Sequence, residues 1–230
     1  RYYALRGALA LEQNQNQKAL DSFEKSLEHN PEDPELFLGK ARAYLALKQY
    51  KKAMQTLRLQ QQKLQQRPEF FQVMASAHFE AAQAAEGWDF LQHGLKKFPQ
   101  HLATLKQKWH YLIQHQLIEA SFQVAQRMLN HPDMVSLDVA RMGMRYRELK
   151  ESKKAIILGE AARLMDPKDK EVLKDLVRSY LSAKQILSAA QVLTDYAREF
   201  DPEFLAQASE LWAQAGRPAY AKALVLEIRN

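Results

Sequence analysis

Apolar residues recur three and four positions apart along nearly the whole chain, in blocks separated by short polar breaks. That spacing puts them on one face of an α-helix, whereas the strict alternation of a half-buried strand is missing. A second rhythm comes from proline. Pro31, Pro99, Pro132, Pro167 and Pro202 stand 68, 33, 35 and 35 residues apart, a period near 34 with one beat missing. Pro68 lies close to that beat, displaced by the Gln-rich run of residues 60–66, itself expected to be an extended helix end or linker. Each period reads as two amphipathic helices around a polar break, so each predicts a helical hairpin. The proline that closes it has no N–H and disfavours helix in its predecessor, which stops the second helix before the next hairpin begins.

The fifth period carries the pattern most fully. Val139, Met142, Gly143 and Tyr146 occupy its first helix, Ala155, Gly159 and Ala162 its second, and Asp166-Pro167 closes it. Large anchors alternate with small residues, as close helix packing requires: a small side chain lets the neighbour approach and a bulky one fills the space beside it. The second period repeats this with Phe37, Ala41, Tyr44, Tyr50 and Ala53, and the third with Phe71, Met74, Ala75, Gly87, Leu91, Gly94 and Pro99. Leu173, Leu176, Val177, Tyr180, Ala189 and Leu193 supply the sixth, Tyr3, Gly7, Ala19, Phe23, Ser26 and Pro31 the first, and Leu205, Ser209, Trp212, Gly216, Ala221 and Val225 the last. Seven hairpins are predicted, in one array over residues 1–230 with approximate bounds 1–33, 34–67, 68–101, 102–135, 136–169, 170–201 and 202–230.

These anchors resemble the tetratricopeptide repeat, which has a large first anchor, a small residue four later, an aromatic three beyond, and an Ala, aromatic, Ala, Pro series on its second helix. The repeats are degenerate: Arg6, Lys40 and Lys108 stand where a leucine-like residue is usual, and Trp109 replaces a small one. The resemblance implies an all-α, right-handed α-solenoid, a superhelix of tandem helix-turn-helix hairpins whose concave groove is lined by first helices and holds a peptide or protein surface. Residues about 100° around from the packed stripe should face that groove. They are Leu38, Arg42 and Leu45; Gln72, Ser76 and Phe79; Lys106, His110 and Ile113; Ala140, Met144 and Arg147; Lys174, Arg178 and Leu181; Ala206, Glu210 and Ala213. Among them Arg42, Lys106, His110, Arg147, Lys174 and Arg178 are expected to hold acidic side chains, and Phe79, Ile113 and Met144 to accept apolar anchors. The family's grip on a partner's terminal carboxylate, made by Lys and Asn one turn apart, has no matching residues here.

Composition narrows the reading. With 7 Gly, 8 Pro and no Cys in 230 residues, an all-β fold, disulfides and thiolate metal sites are excluded. His29, His78, His93, His101, His110, His115 and His131 form no helical His-x-x-x-His pair, and no phosphate loop or nucleophile elbow occurs, so neither catalysis nor a cofactor is expected. A small-molecule substrate is likewise not expected. No apolar run is long enough to span a membrane, and Trp88, Trp109 and Trp212 are expected in the core. The net charge of +6 and pI near 9.3 keep one alternative open, RNA or polyanion binding by the basic stretch Arg141, Arg145, Arg147, Lys150, Lys153 and Lys154. Interleaved acids weigh against it. The chain begins with Arg1 rather than Met and stops at Asn230 inside an amphipathic run, so a piece of a longer chain, of bacterial type, is expected. Cytoplasm and periplasm are both compatible.

Overall fold

Helix starts follow from local chemistry. Asp33 and Asp169 accept hydrogen bonds from the backbone N–H two residues on, and Pro34, Pro68 and Pro218 open their helices at the position where a missing N–H costs nothing. The computed structural model describes residues 1–229, and all regular structure among them is helical. The chain packs as two compact units, 1–124 and 125–230.

The first unit contains α1 (Tyr2–Glu12), α2 (Asn16–His29), α3 (Pro34–Ala46), α4 (Tyr50–Leu59), the single turn α5 (Gln61–Leu64), α6 (Pro68–Glu80), α7 (Ala84–Lys97) and α8 (Leu102–Gln114). Helix α9 (Ile118–Leu129) spans the division between the units. The second unit continues with α10 (Ser136–Glu148), α11 (Ser152–Met165), α12 (Lys170–Ser182), α13 (Ile186–Glu199), a 3-10 turn (Pro202–Phe204), α14 (Leu205–Gln214) and α15 (Pro218–Arg229). Successive helices pair as hairpins within each unit, and first helices also touch one another, α1 with α3, α3 with α6, and α10 with α12. The fold is all-α, a solenoid of tandem hairpins, as expected.

The period is sharper in the turns than in the prolines. Asn14, Lys48, Ala82, Gln116, Lys150 and Lys184 adopt positive φ at 34-residue intervals, and Gly216 follows after 32. In each turn the next residue's N–H reaches back to a carbonyl of the last helical turn, as Gln15 to Ala10 and Gln83 to His78, both at 2.8 Å, and Arg217 to Trp212 at 2.9 Å. This left-handed cap satisfies carbonyls that a helix end would otherwise leave bare. Pro68 therefore does not belong to the comb of closing prolines: it lies 34 residues after Pro34 and opens α6 as Pro34 opens α3. The missing beat falls at Gln65. The Gln-rich run is not a plain helix extension either, because Gln60 breaks α4 and α5 turns the fully buried Leu64 into the core beside Leu57 and Phe70.

The alternation of large and small residues sets the hairpin spacing. The Phe23 ring of α2 lies between Gly7 of α1 and Gly39 of α3; a Cβ added at Gly39 would stand 2.4 Å from the ring, and one at Gly7 3.0 Å. Gly94 receives Phe71 and Gly159 receives Leu176 in the same way. Tyr146 is fully buried. Of the three tryptophans, Trp109 is in the core, while Trp88 and Trp212 are half-buried.

Candidate functional site

Residues 76, 79 and 80 of α6 and residues 107, 110, 111 and 114 of α8 are spaced three and four apart, so each set shares one helix face. The two faces, with Ala84 at the start of α7 and His115 after α8, enclose a cleft of about 310 Å³ inside the first unit. One wall is aromatic. Phe79 stacks on Tyr111 with ring centroids 4.7 Å apart, and Tyr111 meets Trp88 at 5.0 Å and His115 at 4.3 Å. The opposite side is polar. Gln107 donates through Nε2 to the Ser76 hydroxyl at 2.8 Å and to the Gln72 carbonyl at 3.3 Å. Since a carbonyl only accepts, that contact fixes the orientation of the amide. Gln107 Oε1 is then left buried with no partner among the described residues. Glu80, at the edge, lies 3.5 Å from the Tyr50 hydroxyl, and burial together with this carboxylate raises the Tyr50 phenol above its ordinary value.

The sequence-derived groove residues divide between the units. Phe79 and His110 meet in the cleft. Lys106 lies one turn before His110 on α8, half-buried, and Arg42 is exposed on α3 with no side-chain hydrogen bond or ion pair among the described residues. Ile113 is not on an open face: only 4% of it is exposed. Leu38 and Ala140, also expected to face the groove, are buried for a reason visible at Leu38, which packs against Val73 and Met74 of α6. First helices turn that side toward one another, so a position 100° from the packed stripe is caught in a second contact.

In the second unit, Met144 is 36% exposed. Arg147 is not a free cation there. Its guanidinium spans from α10 to α12, donating to the Asp175 carboxylate at 3.2 Å, the Asp175 carbonyl at 2.9 Å and the Ser179 hydroxyl at 3.1 Å. Arg178 shares Asp175 at 3.4 Å, and Lys174 pairs with Glu171 at 2.7 Å. The basic stretch is compensated similarly: Arg141 faces Asp138, Arg145 faces Glu148, and Lys154 faces Glu151. Sequence reasoning missed Gln107 and Tyr111. A signal for Tyr111 exists, since it stands 34 and 68 residues after Ala77 and Ala43, both fully buried, and a ring cannot fit where those methyls do.

Residues 10–77 match the family model described as tetratricopeptide repeat. No curated protein matches the sequence. Among solved structures, the fold is similar to the C-terminal part of a TPR repeat-containing protein from Cytophaga hutchinsonii, at 15% identity and TM-score 0.63 over 96% of this chain and 93% of that one. A tetratricopeptide repeat protein from Parabacteroides merdae is similar at 10% identity and TM-score 0.55, over 99% and 91%. A human IFIT1 dimer with m7Gppp-AAAA gives 16% identity and TM-score 0.51, covering 94% of this chain but 54% of that one. No helix among the described residues is long and apolar enough to cross a membrane. Residues 10–77 thus match the tetratricopeptide repeat, and the repeat period, the left-handed turns and these likenesses show the same kind of fold, tandem helical hairpins, in the rest of the described residues, a fold that commonly mediates protein–protein contacts.

Proposed function

We propose that the chain is a non-catalytic interaction scaffold within a multiprotein assembly, and that the cleft between α6 and α8 holds an acidic, partly apolar peptide segment of its partner. The observation that carries this reading is the pairing of an aromatic wall with an unsatisfied acceptor. Phe79 and Tyr111 offer a stacked surface for an apolar side chain, while the buried Gln107 Oε1 has no donor among the described residues and gains one from a peptide N–H when its amide turns out into the cleft. In the first unit this reading assigns the acidic side chains of the partner to Arg42, Lys106 and His110. Lys174, Arg178 and Arg147 contribute less to steering, because each already faces a carboxylate of its own unit.

Selection of peptides from a random library on the full chain tests this. Selected sequences should be rich in Asp or Glu beside an aromatic or Leu, and Phe79→Ala and Gln107→Ala should each weaken them about tenfold, the cost of one lost anchor or buried hydrogen bond. Unchanged affinity in both variants would remove the cleft from the proposal. The second reading, RNA binding, is favoured by the likeness to the IFIT1 complex and opposed by the pairing of the basic stretch with Asp138, Glu148 and Glu151. RNA retention that survives physiological salt would reverse the preference.

A further inference from the structure

Helix α13 and the last hairpin border a larger cavity, of about 990 Å³, that lies wholly within the second unit. It occurs where the repeat comb shortens, with the turn at Gly216 arriving 32 residues after Lys184 instead of 34. Tyr180, Leu187, Val192, Trp212 and Tyr220 supply its apolar walls, and Arg217 also lines it.

Two of these walls depart from the rest of the array. The position of Leu187 is taken in the earlier hairpins by Gln17, Lys51, Ala85, Glu119 and Lys153. The position of Tyr220, counted from its turn, is taken by Lys18, Lys52, Glu86, Ala120, Lys154 and Ser188. Both are largely polar places, exposed in the other hairpins except at the half-buried Lys154 and Ser188. Here they carry large apolar side chains, 46% and 37% exposed, that converge on one cavity. The polar tips of the aromatic residues are already engaged. The Tyr180 hydroxyl donates to Glu160 at 2.6 Å, Trp212 Nε1 donates to Thr194 at 2.9 Å, and the Tyr220 hydroxyl accepts from Arg198 at 3.2 Å. What the rings leave for a ligand is apolar surface. Arg217 is the exception, a guanidinium with no side-chain hydrogen bond or ion pair among the described residues, in a turn position held elsewhere by Gln15, Gln49, Gln83, Leu117, Glu151 and Gln185.

We infer that this cavity is a binding site for a small amphiphilic anion. An aromatic or branched aliphatic body packs against Leu187, Trp212 and Tyr220, and a single negative group, of carboxylate or sulfonate type, pairs with Arg217. The volume suits this class, since small-molecule sites run roughly from 300 to 1,000 Å³ with mostly apolar walls and few polar groups. The site is independent of the cleft between α6 and α8 and stands or falls without it.

The test uses the full chain and two fluorescent probes, anilinonaphthalene sulfonate and phenylnaphthylamine, its counterpart without the charge. Both should bind, the sulfonate more tightly. Leu187→Gln with Tyr220→Ser, which restores residue types found at the same places in other hairpins, should weaken both probes about tenfold through lost apolar contact. Arg217→Gln should weaken the sulfonate about fivefold and leave the uncharged probe unchanged. Far-UV circular dichroism and thermal melting verify the fold, and Arg217→Gln, an exposed residue type native to four other turns, keeps the two-probe comparison valid if the double variant unfolds. Absence of binding overturns the inference, as does binding that survives the double variant. A sulfonate preference that persists in Arg217→Gln overturns the assignment of the anion to this arginine.

Discussion

Gly39→Ala tests the packing rule on which the array rests, because in this substitution two known effects oppose each other. Replacing a glycine in the interior of a helix by alanine ordinarily stabilises by about 1 kcal/mol. Here the new methyl would stand 2.4, 2.5 and 2.9 Å from three carbons of the Phe23 ring, against the roughly 3.5 to 4.0 Å of normal carbon contact. The ring would have to move by about 1 Å, and it already lies close against Gly7 on its other side. Overpacking of this kind costs about 1 to 3 kcal/mol, so a net loss of about 1 kcal/mol is expected. Urea unfolding followed by circular dichroism measures it as a lower midpoint at unchanged slope. In a Phe23→Leu background the clash is relieved and Gly39→Ala should turn neutral or stabilising, giving a coupling of at least about 1 kcal/mol in the double-mutant cycle. A stabilised single variant with no coupling to Phe23 would refute the argument that Gly39 exists to admit that ring.

The turns make a matched pair of predictions: Ala82→Gly should stabilise by about 1 kcal/mol, since only glycine adopts positive φ without steric cost, and Gly216→Ala should destabilise by a similar amount in the same titration. Arg147→Ala should cost about 1 to 3 kcal/mol, because it removes charged hydrogen bonds from a half-buried Asp175, while leaving peptide binding in the first unit intact when measured by anisotropy. Tyr180, whose phenol is pushed up to about 12 by burial and by its hydrogen bond to the Glu160 carboxylate, should ionise in a late step of an alkaline absorbance titration, and Tyr180→Phe should remove one proton from that step. Because the unfolded chain releases this proton near its ordinary value of about 10 and the folded one does not, the stabilising contribution is full below that pH and is lost as pH rises toward 12. Replacing Ala155 or Ala162 by Phe should wedge hairpins apart at about 1 to 3 kcal/mol, and Tyr146→Ala should leave a cavity costing about 3 to 5 kcal/mol, both read by thermal melting.

Sequence alone determined what local physics controls. Apolar spacing, closing prolines and the large–small alternation specify helices, hairpins and their period, because each acts within a few residues or repeats identically down the chain. Phe79 and His110 were each assigned to a first-helix face on that basis, and both line the cleft between α6 and α8. Tertiary structure decided exposure and pairing, which depend on residues distant in the chain. Ile113 and Leu38 occupy positions held half-buried by Phe79 and Gln72 one period away, yet are buried, since whether a helix side meets water or a neighbour is set by what packs there. Arg147 reads as a free cation until Asp175, on the next first helix, captures it. Pro68 reads as a closing proline until the turns show that it opens α6. The cavity at the last hairpin is likewise visible only in three dimensions, because its lining comes from different helices and a turn that no pattern read one helix at a time brings together.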